Sequence, residues 1–135
     1  MRAVLDPNVI ISATLSPGGS PARVLHLWLD GAYELVCSPL LFDELATALT
    51  YPKLRKHIDA DEADELLDLL RRTALSVDDP KTYEGVSSAD PEDDYLIALA
   101  EKSRSVLVSG DRDLLALSEQ IPVYSPRGFV DLLSV

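Results

Sequence analysis

Two aspartates each follow a short apolar segment that is typical of a buried strand. Asp6 comes directly after residues 3–5, and Asp111 comes after residues 105–109 and one glycine. Because the carboxyl ends of parallel strands meet at one edge of an open α/β sheet, we expect the two carboxylates to lie together. Asp113 follows two residues later, close enough to reach the same cleft from the start of the next helix.

A third acid, Glu44, lies in the middle of a predicted helix over about residues 40–49. Helical spacing puts it on the side of Leu41 and Ala48, at the edge of the apolar face rather than on the polar side. A carboxylate at that position needs a partner. Glu44 is therefore a candidate for the same site as the two strand-end aspartates.

Four more acids open the predicted helix over residues 91–102. They are Asp90, Glu92, Asp93 and Asp94. Asp94 lies three residues before Ile97, so helical spacing predicts that it points further inward than Glu92 does. Asp94 is therefore a candidate for a shared acidic site.

Several carboxylates in one cleft repel one another unless a cation lies between them. Oxygen-only ligands select hard ions such as Mg²⁺ or Mn²⁺. Such ions suit phosphodiester hydrolysis, since they activate a water molecule and stabilise charge on phosphate. The two histidines, His26 and His57, and the single Cys37 lack the spacing of a zinc site.

Each of these acids also has a purely structural interpretation. Asp6 followed by Pro7 is a good helix cap with proline at the first helical position. Asp111 can cap a helix that starts near Arg112, and the acids at 90–94 can face the positive end of a helix dipole. Capping does not explain Glu44, which favours the shared site.

Strands and helices alternate along the whole chain. Strand patterns occur at about residues 3–5, 33–37, 76–77, 105–109 and 121–124. Alternation of this kind predicts a parallel sheet with helices on both faces, which is a three-layer α/β/α domain. The chain of 135 residues contains no repeat and no long linker, so we expect one domain over its full length.

The net charge of −11 is unlike that of a general nucleic-acid coat, and it favours a metal site or a basic partner. The only dense basic cluster is Lys53, Arg55, Lys56 and His57. It can follow an RNA backbone or meet an acidic partner, or it can be a solvated helix end. Arg112, beside Asp111, can contact a substrate phosphate or form a surface ion pair.

The location of the protein is predicted from what the sequence lacks. No apolar run reaches the roughly 18–20 residues that span a bilayer, so no membrane association is expected. No signal segment precedes Asp6, and one cysteine cannot form an internal disulfide. Both features predict a protein of the reducing cytoplasm.

Four motifs resemble those of the PIN domain family, in the same order and with the same spacing. They are Asp6-Pro7-Asn8-Val9-Ile10; Ser38-Pro39 followed by Glu44-Leu45; Asp90-Pro91-Glu92-Asp93-Asp94-Tyr95-Leu96-Ile97-Ala98-Leu99-Ala100; and Val108-Ser109-Gly110-Asp111-Arg112-Asp113-Leu114. The resemblance covers nearly the whole chain and is strongest to VapC-like toxin components of toxin–antitoxin systems.

The resemblance implies a metal-dependent endoribonuclease with a five-stranded parallel sheet. It further implies Mg²⁺ or Mn²⁺ as the cofactor, RNA as the substrate and an antitoxin protein as a partner, and we also expect a homodimer. The family's catalytic acids fall on Asp6, Glu44, Asp94 and Asp111, with Asp113 as a frequent fifth metal ligand. Asn8 and Ser109 match the polar supports of these carboxylates. Asp93 competes with its neighbour Asp94 for the role of third acid.

Pro7 departs from the pattern of the family, which usually has a residue with a backbone N–H at this position. The fixed φ of proline is compatible with a first helical turn, so we expect the fold to form. A hydrogen-bond donor near the metal pocket is lost. The alternative function is therefore a catalytically weak PIN-like domain that acts as a binding or regulatory module.

Overall fold

The computed structural model describes residues 1–134 and contains a five-stranded sheet in which all neighbouring strands are parallel. The strands are β1 (Arg2–Leu5), β2 (Glu34–Cys37), β3 (Leu75–Ser76), β4 (Val106–Val108) and β5 (Val123–Tyr124). Their order in the sheet is β3-β2-β1-β4-β5. The chain thus builds outward from β1 on one side and then crosses to β4 on the other. The switch point between β1 and β4 is where open α/β sheets form a ligand crevice.

Helices cover both faces of this sheet. They are α1 (Pro7–Leu15), α2 (Ser20–Leu29), α3 (Pro39–Ala48), α4 (Pro52–Arg55), α5 (Ala60–Thr73), α6 (Asp94–Ser103), α7 (Arg112–Leu115) and α8 (Pro126–Leu133), with a 3₁₀ turn at Pro91–Asp93 before α6. Side chains alternate across β1, so Ala3 and Leu5 join one hydrophobic cluster and Val4 joins the other. The predicted three-layer α/β/α architecture with five parallel strands is confirmed.

The central strand β1 owes its position to a continuous apolar run. Ala3, Val4 and Leu5 have no exposed surface, because helices pack on both faces of the strand. Such a run is what a parallel strand buried on both sides requires. The first polar residue after it, Asp6, is therefore placed at the carboxyl edge of the sheet.

Proline and a capping side chain start the helices that leave this edge. Asp6 caps α1, and its side chain accepts from the backbone N–H of Asn8. Ser38 caps α3 in the same way, ahead of Pro39. The missing N–H of a proline in the first helical turn would have no helical partner in any case. Pro7 is thus accommodated, as expected from its fixed φ.

Some boundaries differ from the sequence-based expectation by a few residues. Gly19 caps α2, so Ser20 is its first residue instead of its cap. The strand β4 starts at Val106, because the N–H of Ser105 donates to the carbonyl of Ala100 at the end of α6. None of the helices within residues 1–134 has both the length and the apolar character needed to cross a membrane.

Candidate active site

Asp6 and Asp111 meet at the carboxyl edge of β1 and β4, as their spacing predicts. Asp6 is 6% exposed, and its Oδ2 accepts a hydrogen bond from the hydroxyl of Ser109 at 2.8 Å. The same hydroxyl oxygen accepts from the backbone N–H of Asp111 at 3.0 Å. Ser109 is completely buried. One serine therefore joins the two acids that end neighbouring strands.

The second oxygen of Asp6 is held by the start of α1. Its Oδ1 accepts from the backbone N–H of Asn8 at 3.0 Å. The side chain of Asn8 is exposed, so Asn8 contacts Asp6 through its main chain. Pro7 does not disturb this contact, because the donor belongs to the second helical residue. Burial raises the pKa of Asp6, the bonds from Asn8 and Ser109 lower it, and the charge of Asp111 raises it.

Asp93 is the acid of the third motif that reaches this pair. Its carboxyl group faces that of Asp111, and its Oδ2 is buried with no hydrogen-bond donor in the part of the chain that the structure describes. Burial, a hydrogen bond with the carboxyl group of Asp111 and the charges of Asp111, Asp6 and Asp90 together raise the pKa of Asp93 to about 7. A carboxylate among like charges holds its proton more tightly in this way.

Asp94, which helical spacing predicts to point further inward than Glu92, has a hydrogen-bond partner other than Asp6 and Asp111. Its Oδ1 accepts from the backbone N–H of Ser88 at 2.8 Å, in the loop that precedes the 3₁₀ turn. The expectation assumed α-helical geometry from Pro91 onward, but residues 91–93 form the tighter 3₁₀ turn. Because that turn has about 3.0 residues per turn, it changes which side chain faces the sheet edge.

Glu44 has the partner that its position called for, although the residue is exposed. The hydroxyl of Tyr95, at the start of α6, donates to its Oε2. Burial, the hydrogen bond and charge of Glu44, and the charges of Asp6 and Asp79 raise the pKa of Tyr95. Tyr95 was not anticipated from the sequence, because it is 51 residues from Glu44 and no local pattern connects them.

Asp113 contributes to the site through its backbone. Its N–H donates to Oδ1 of Asp111 at 2.8 Å, so Asp111 also caps α7. The carboxylate of Asp113 is exposed, and Asp113 is not among the residues that line the cleft beside Asp6. Asp6 and Asp111 can therefore cap a helix and take part in a shared site at the same time, because the helix N–H and a bound cation would use different lone pairs of the carboxylate.

The predicted basic residues lie outside the cleft lining. Lys53 and Arg55 are on α4, and Lys56 follows it. Lys53 and Lys56 are exposed and Arg55 is half-buried. Arg112 is the exposed first residue of α7 and is the basic residue nearest in sequence to Asp111. The structure thus brings none of the four into the lining of the cleft.

The cleft beside the two strand-end acids has a volume of about 400 Å³. It is lined by Asp6, Asn8, Val9, Ser12, Pro21, Gly110, Asp111 and Pro126. A larger and mainly apolar cavity of about 520 Å³ lies away from the acids, between α6 and the starts of β4 and β5. The smaller cleft is lined by both strand-end acids, Asp6 and Asp111, so it is the candidate active site.

The acids fit a hard divalent cation by their chemistry. Within residues 1–134, no group of three or more His, Cys, Asp or Glu side chains is arranged so that it could hold a metal ion. Asp6, Asp93 and Asp111 nevertheless present only oxygen atoms, and Mg²⁺ and Mn²⁺ prefer such ligands. The buried Oδ2 of Asp93, which has no donor, is a polar atom that a cation would satisfy.

Sequence comparison relates the chain to a known family and to a known protein. A family model described as PIN domain matches residues 2–113. The uncharacterized protein MJ1680 of Methanocaldococcus jannaschii is 31% identical over an alignment 145 residues long. The alignment covers 97% of this chain and 90% of that protein. The family match spans Asp6, the third motif and Asp111.

Solved structures with the same fold come from several organisms. PAE2754 from Pyrobaculum aerophilum superposes with a TM-score of 0.63 at 20% identity, over 99% of this chain and 90% of that one. VapBC2 from Rickettsia felis, bound to a DNA fragment from its promoter, gives 0.58 at 16% identity, over 93% and 98%. FitAcB from Neisseria gonorrhoeae gives 0.53 at 18% identity, over 93% and 98%. At these identities the similarity establishes the fold.

Proposed function

The chain belongs to the PIN domain family, and from that premise we propose that it is a metal-dependent endoribonuclease that hydrolyses RNA phosphodiester bonds. PIN domains are generally nucleases. The observation that carries the proposal is that Ser109 joins Asp6 and Asp111 at the sheet edge, with the carboxyl group of Asp93 facing Asp111. The side chains of these three residues offer only oxygen ligands, and hydrolysis of phosphodiesters is the chemistry that such sites serve.

Three carboxylates would hold Mg²⁺ or Mn²⁺ in this proposal, namely Asp6, Asp93 and Asp111, with Glu44 approaching from α3. A bound ion would activate water and neutralise charge on the phosphate. Asp93 takes the role of third acid because its carboxyl faces Asp111, whereas that of Asp94 is bonded to the Ser88 backbone. Asp113, whose carboxylate is exposed like that of Glu44, would supply a further ligand from the start of α7.

The supporting groups keep the strand-end acids in one orientation. Ser109 and the N–H of Asn8 occupy one lone pair on each oxygen of Asp6. Because each carboxylate oxygen has two lone pairs, further positions remain for a metal. Removing hydrogen-bond partners that orient metal ligands in this way commonly lowers metal affinity or activity by about 10–100-fold. Pro7 leaves them intact, which supports an active enzyme over a catalytically weak binding module.

We assign the protein the role of toxin in a toxin–antitoxin pair, held in check by an antitoxin protein in the cytoplasm. The motifs resemble VapC-like toxins, and VapBC2 is one of the structures that share the fold. The net charge of −11 favours a basic segment in that partner. A homodimer, the single-domain organisation of the chain and RNA contacts by Lys53, Arg55, Lys56 and Arg112 remain part of the proposal.

Cleavage of RNA by variants of three acids tests the proposal. With Mn²⁺ present, we expect Asp6→Asn and Asp93→Asn to reduce the cleavage rate about 100-fold or more, since each removes a proposed metal ligand. The matched control is Asp94→Asn, which makes the same chemical change one residue away and should keep the rate within a few-fold.

Two results would overturn parts of this assignment. Equal rates for Asp6→Asn and the unaltered protein would remove the proposed site. An unaltered protein that neither cleaves RNA nor binds Mn²⁺ at millimolar concentration in calorimetry would favour the catalytically weak binding module.

A further inference from the structure

The hydrogen bond between Tyr95 and Glu44 connects α3, which carries Glu44, with α6, which begins directly after Asp93. Glu44 is in the middle of α3, and Tyr95 is the second residue of α6, two residues after Asp93. Tyr95 is half-buried, while Glu44 is exposed. The rigid, half-buried side chain of Tyr95 therefore holds the flexible, exposed side chain of Glu44.

The loop that follows β3 joins the same two helices a second time. Oδ2 of Asp79 accepts from the backbone N–H of Leu40 in the first turn of α3, at 3.0 Å. The neighbouring carbonyl of Asp78 accepts from the ammonium group of Lys102 on α6, at 2.7 Å. These contacts fix the helix backbones relative to each other, so Tyr95 needs to control only the side chain of Glu44.

Glu44 differs from the strand-end acids in how its carboxylate is held. Asp6 is fixed by backbone and hydroxyl donors within a few residues of the sheet edge. Glu44 has a longer side chain on the exposed side of a helix, and ordering such a side chain costs about 1.5–2 kcal/mol in rotamer entropy. The Tyr95 hydroxyl on α6 offsets part of that cost by holding one carboxylate oxygen of Glu44.

We infer that Tyr95 is a positioning residue, whose hydroxyl holds the Glu44 carboxylate towards the proposed metal site. This inference rests on the proposed function, because it concerns how one ligand of that site is placed. The bond uses Oε2 of Glu44 and leaves Oε1 available to the cation. Tyr95 acts through Glu44 and has no separate role in the chemistry.

Tyr95→Phe removes the hydroxyl and keeps the ring. We expect the dissociation constant for Mn²⁺, measured by calorimetry, to rise about 10–100-fold, as for other groups that orient metal ligands. The control is Tyr33→Phe, since the Tyr33 hydroxyl donates to the carbonyl of Val24 at 2.8 Å and lies in the core. That variant should lose stability and keep the affinity for Mn²⁺.

A double-mutant cycle with Glu44→Gln tests whether Tyr95 acts through Glu44. If it does, Tyr95→Phe adds no further loss of Mn²⁺ affinity to the Glu44→Gln protein, because the two residues form one unit. Additive losses would overturn the inference. So would a Tyr95→Phe protein that binds Mn²⁺ as tightly as the unaltered protein.

A measurement on the metal-free protein keeps this inference separate from the proposed function. We expect the carboxyl ¹³C signal of Glu44 in NMR spectra to move in Tyr95→Phe and to stay unchanged in Tyr33→Phe. If the unaltered protein binds no Mn²⁺ and cleaves no RNA, the proposed function fails. An unmoved Glu44 signal in Tyr95→Phe shows instead that the tyrosine does not hold the carboxylate, and it overturns the inference by itself.

Discussion

The two sides of the acidic site are built in different ways. On the β1–β4 side, Asp6 and Asp111 follow strand ends and are joined by the buried Ser109. On the α3–α6 side, Asp93 leaves a 3₁₀ turn and Glu44 depends on a tyrosine from another helix. The first side is set by backbone position and short-range hydrogen bonds. The second is set by packing between helices, so a small change in local geometry determines which acid takes part.

The difference is clearest in the adjacent pair Asp93 and Asp94. The two residues have identical side chains, but one faces the carboxyl group of Asp111 and the other accepts from the N–H of Ser88. The 3₁₀ turn over Pro91–Asp93 determines which of the two side chains faces Asp111. A cluster of like charges costs stability, whereas the bond from the N–H of Ser88 to the Asp94 carboxylate stabilises the fold.

The largest effect is expected from breaking the β1–β4 side at Ser109. Ser109→Ala leaves Oδ2 of Asp6 and the N–H of Asp111 without their partner. We expect Mn²⁺ affinity to fall about 10–100-fold and the free energy of unfolding in urea to fall by about 1–3 kcal/mol. Ser105→Ala is the control, because Ser105 is a buried serine just before β4 whose hydroxyl bonds to Ser103. It should leave the affinity unchanged, and an equal loss of affinity in both variants would contradict the role of Ser109.

The next effect concerns protons on the α3–α6 side. The pKa of Asp93 is raised to about 7, so below that pH the carboxyl binds a proton that a metal must displace. We expect the affinity for Mn²⁺ to fall about tenfold for each pH unit below about 7 and to level off above it. Calorimetry between pH 5.5 and 8, taken as roughly the range that spans this pKa, measures the slope. In Asp93→Asn, the affinity for Mn²⁺ should no longer depend on pH in this range. If the dependence on pH persists in this variant, the proton belongs to another group.

The smallest effect is a change in the free energy of unfolding, whose sign should differ between variants of Asp93 and Asp94. The folded-state pKa of Asp93 is above the ordinary value of 3.8, so its contribution to stability is greatest at acid pH and is lost as the pH rises to about 7. At pH near 8, Asp93→Asn should therefore raise the free energy of unfolding by roughly 1 kcal/mol, after allowance for solvent screening. Asp94→Asn should lower it by about the same amount, because it weakens a charge-assisted bond to Ser88. Urea unfolding of both proteins checks the signs, and equal signs would contradict the assigned surroundings.

The same contrast explains what the sequence could predict. The order of strands and helices, the parallel sheet and the positions of Asp6 and Asp111 follow from apolar runs that end at polar residues. The orientation of Asp93 and Asp94 does not follow, since a 3₁₀ turn of three residues is too short to leave a periodic pattern. The requirement that Glu44 have a partner was visible in its position, but Tyr95 was not, because packing of distant segments brings it there.

The central claim is that Asp6, Asp93 and Asp111 form a site for a divalent cation between β1 and β4. A crystal structure of the protein soaked in Mn²⁺ tests it most directly, since anomalous scattering locates the ion. We expect Mn²⁺ within about 2.0–2.6 Å of carboxylate oxygens of these three residues, with Asp94 still bonded to the backbone of Ser88. An ion bound to Asp94 in place of Asp93, or no ion at this edge of the sheet at a concentration that supports RNA cleavage, would contradict the account.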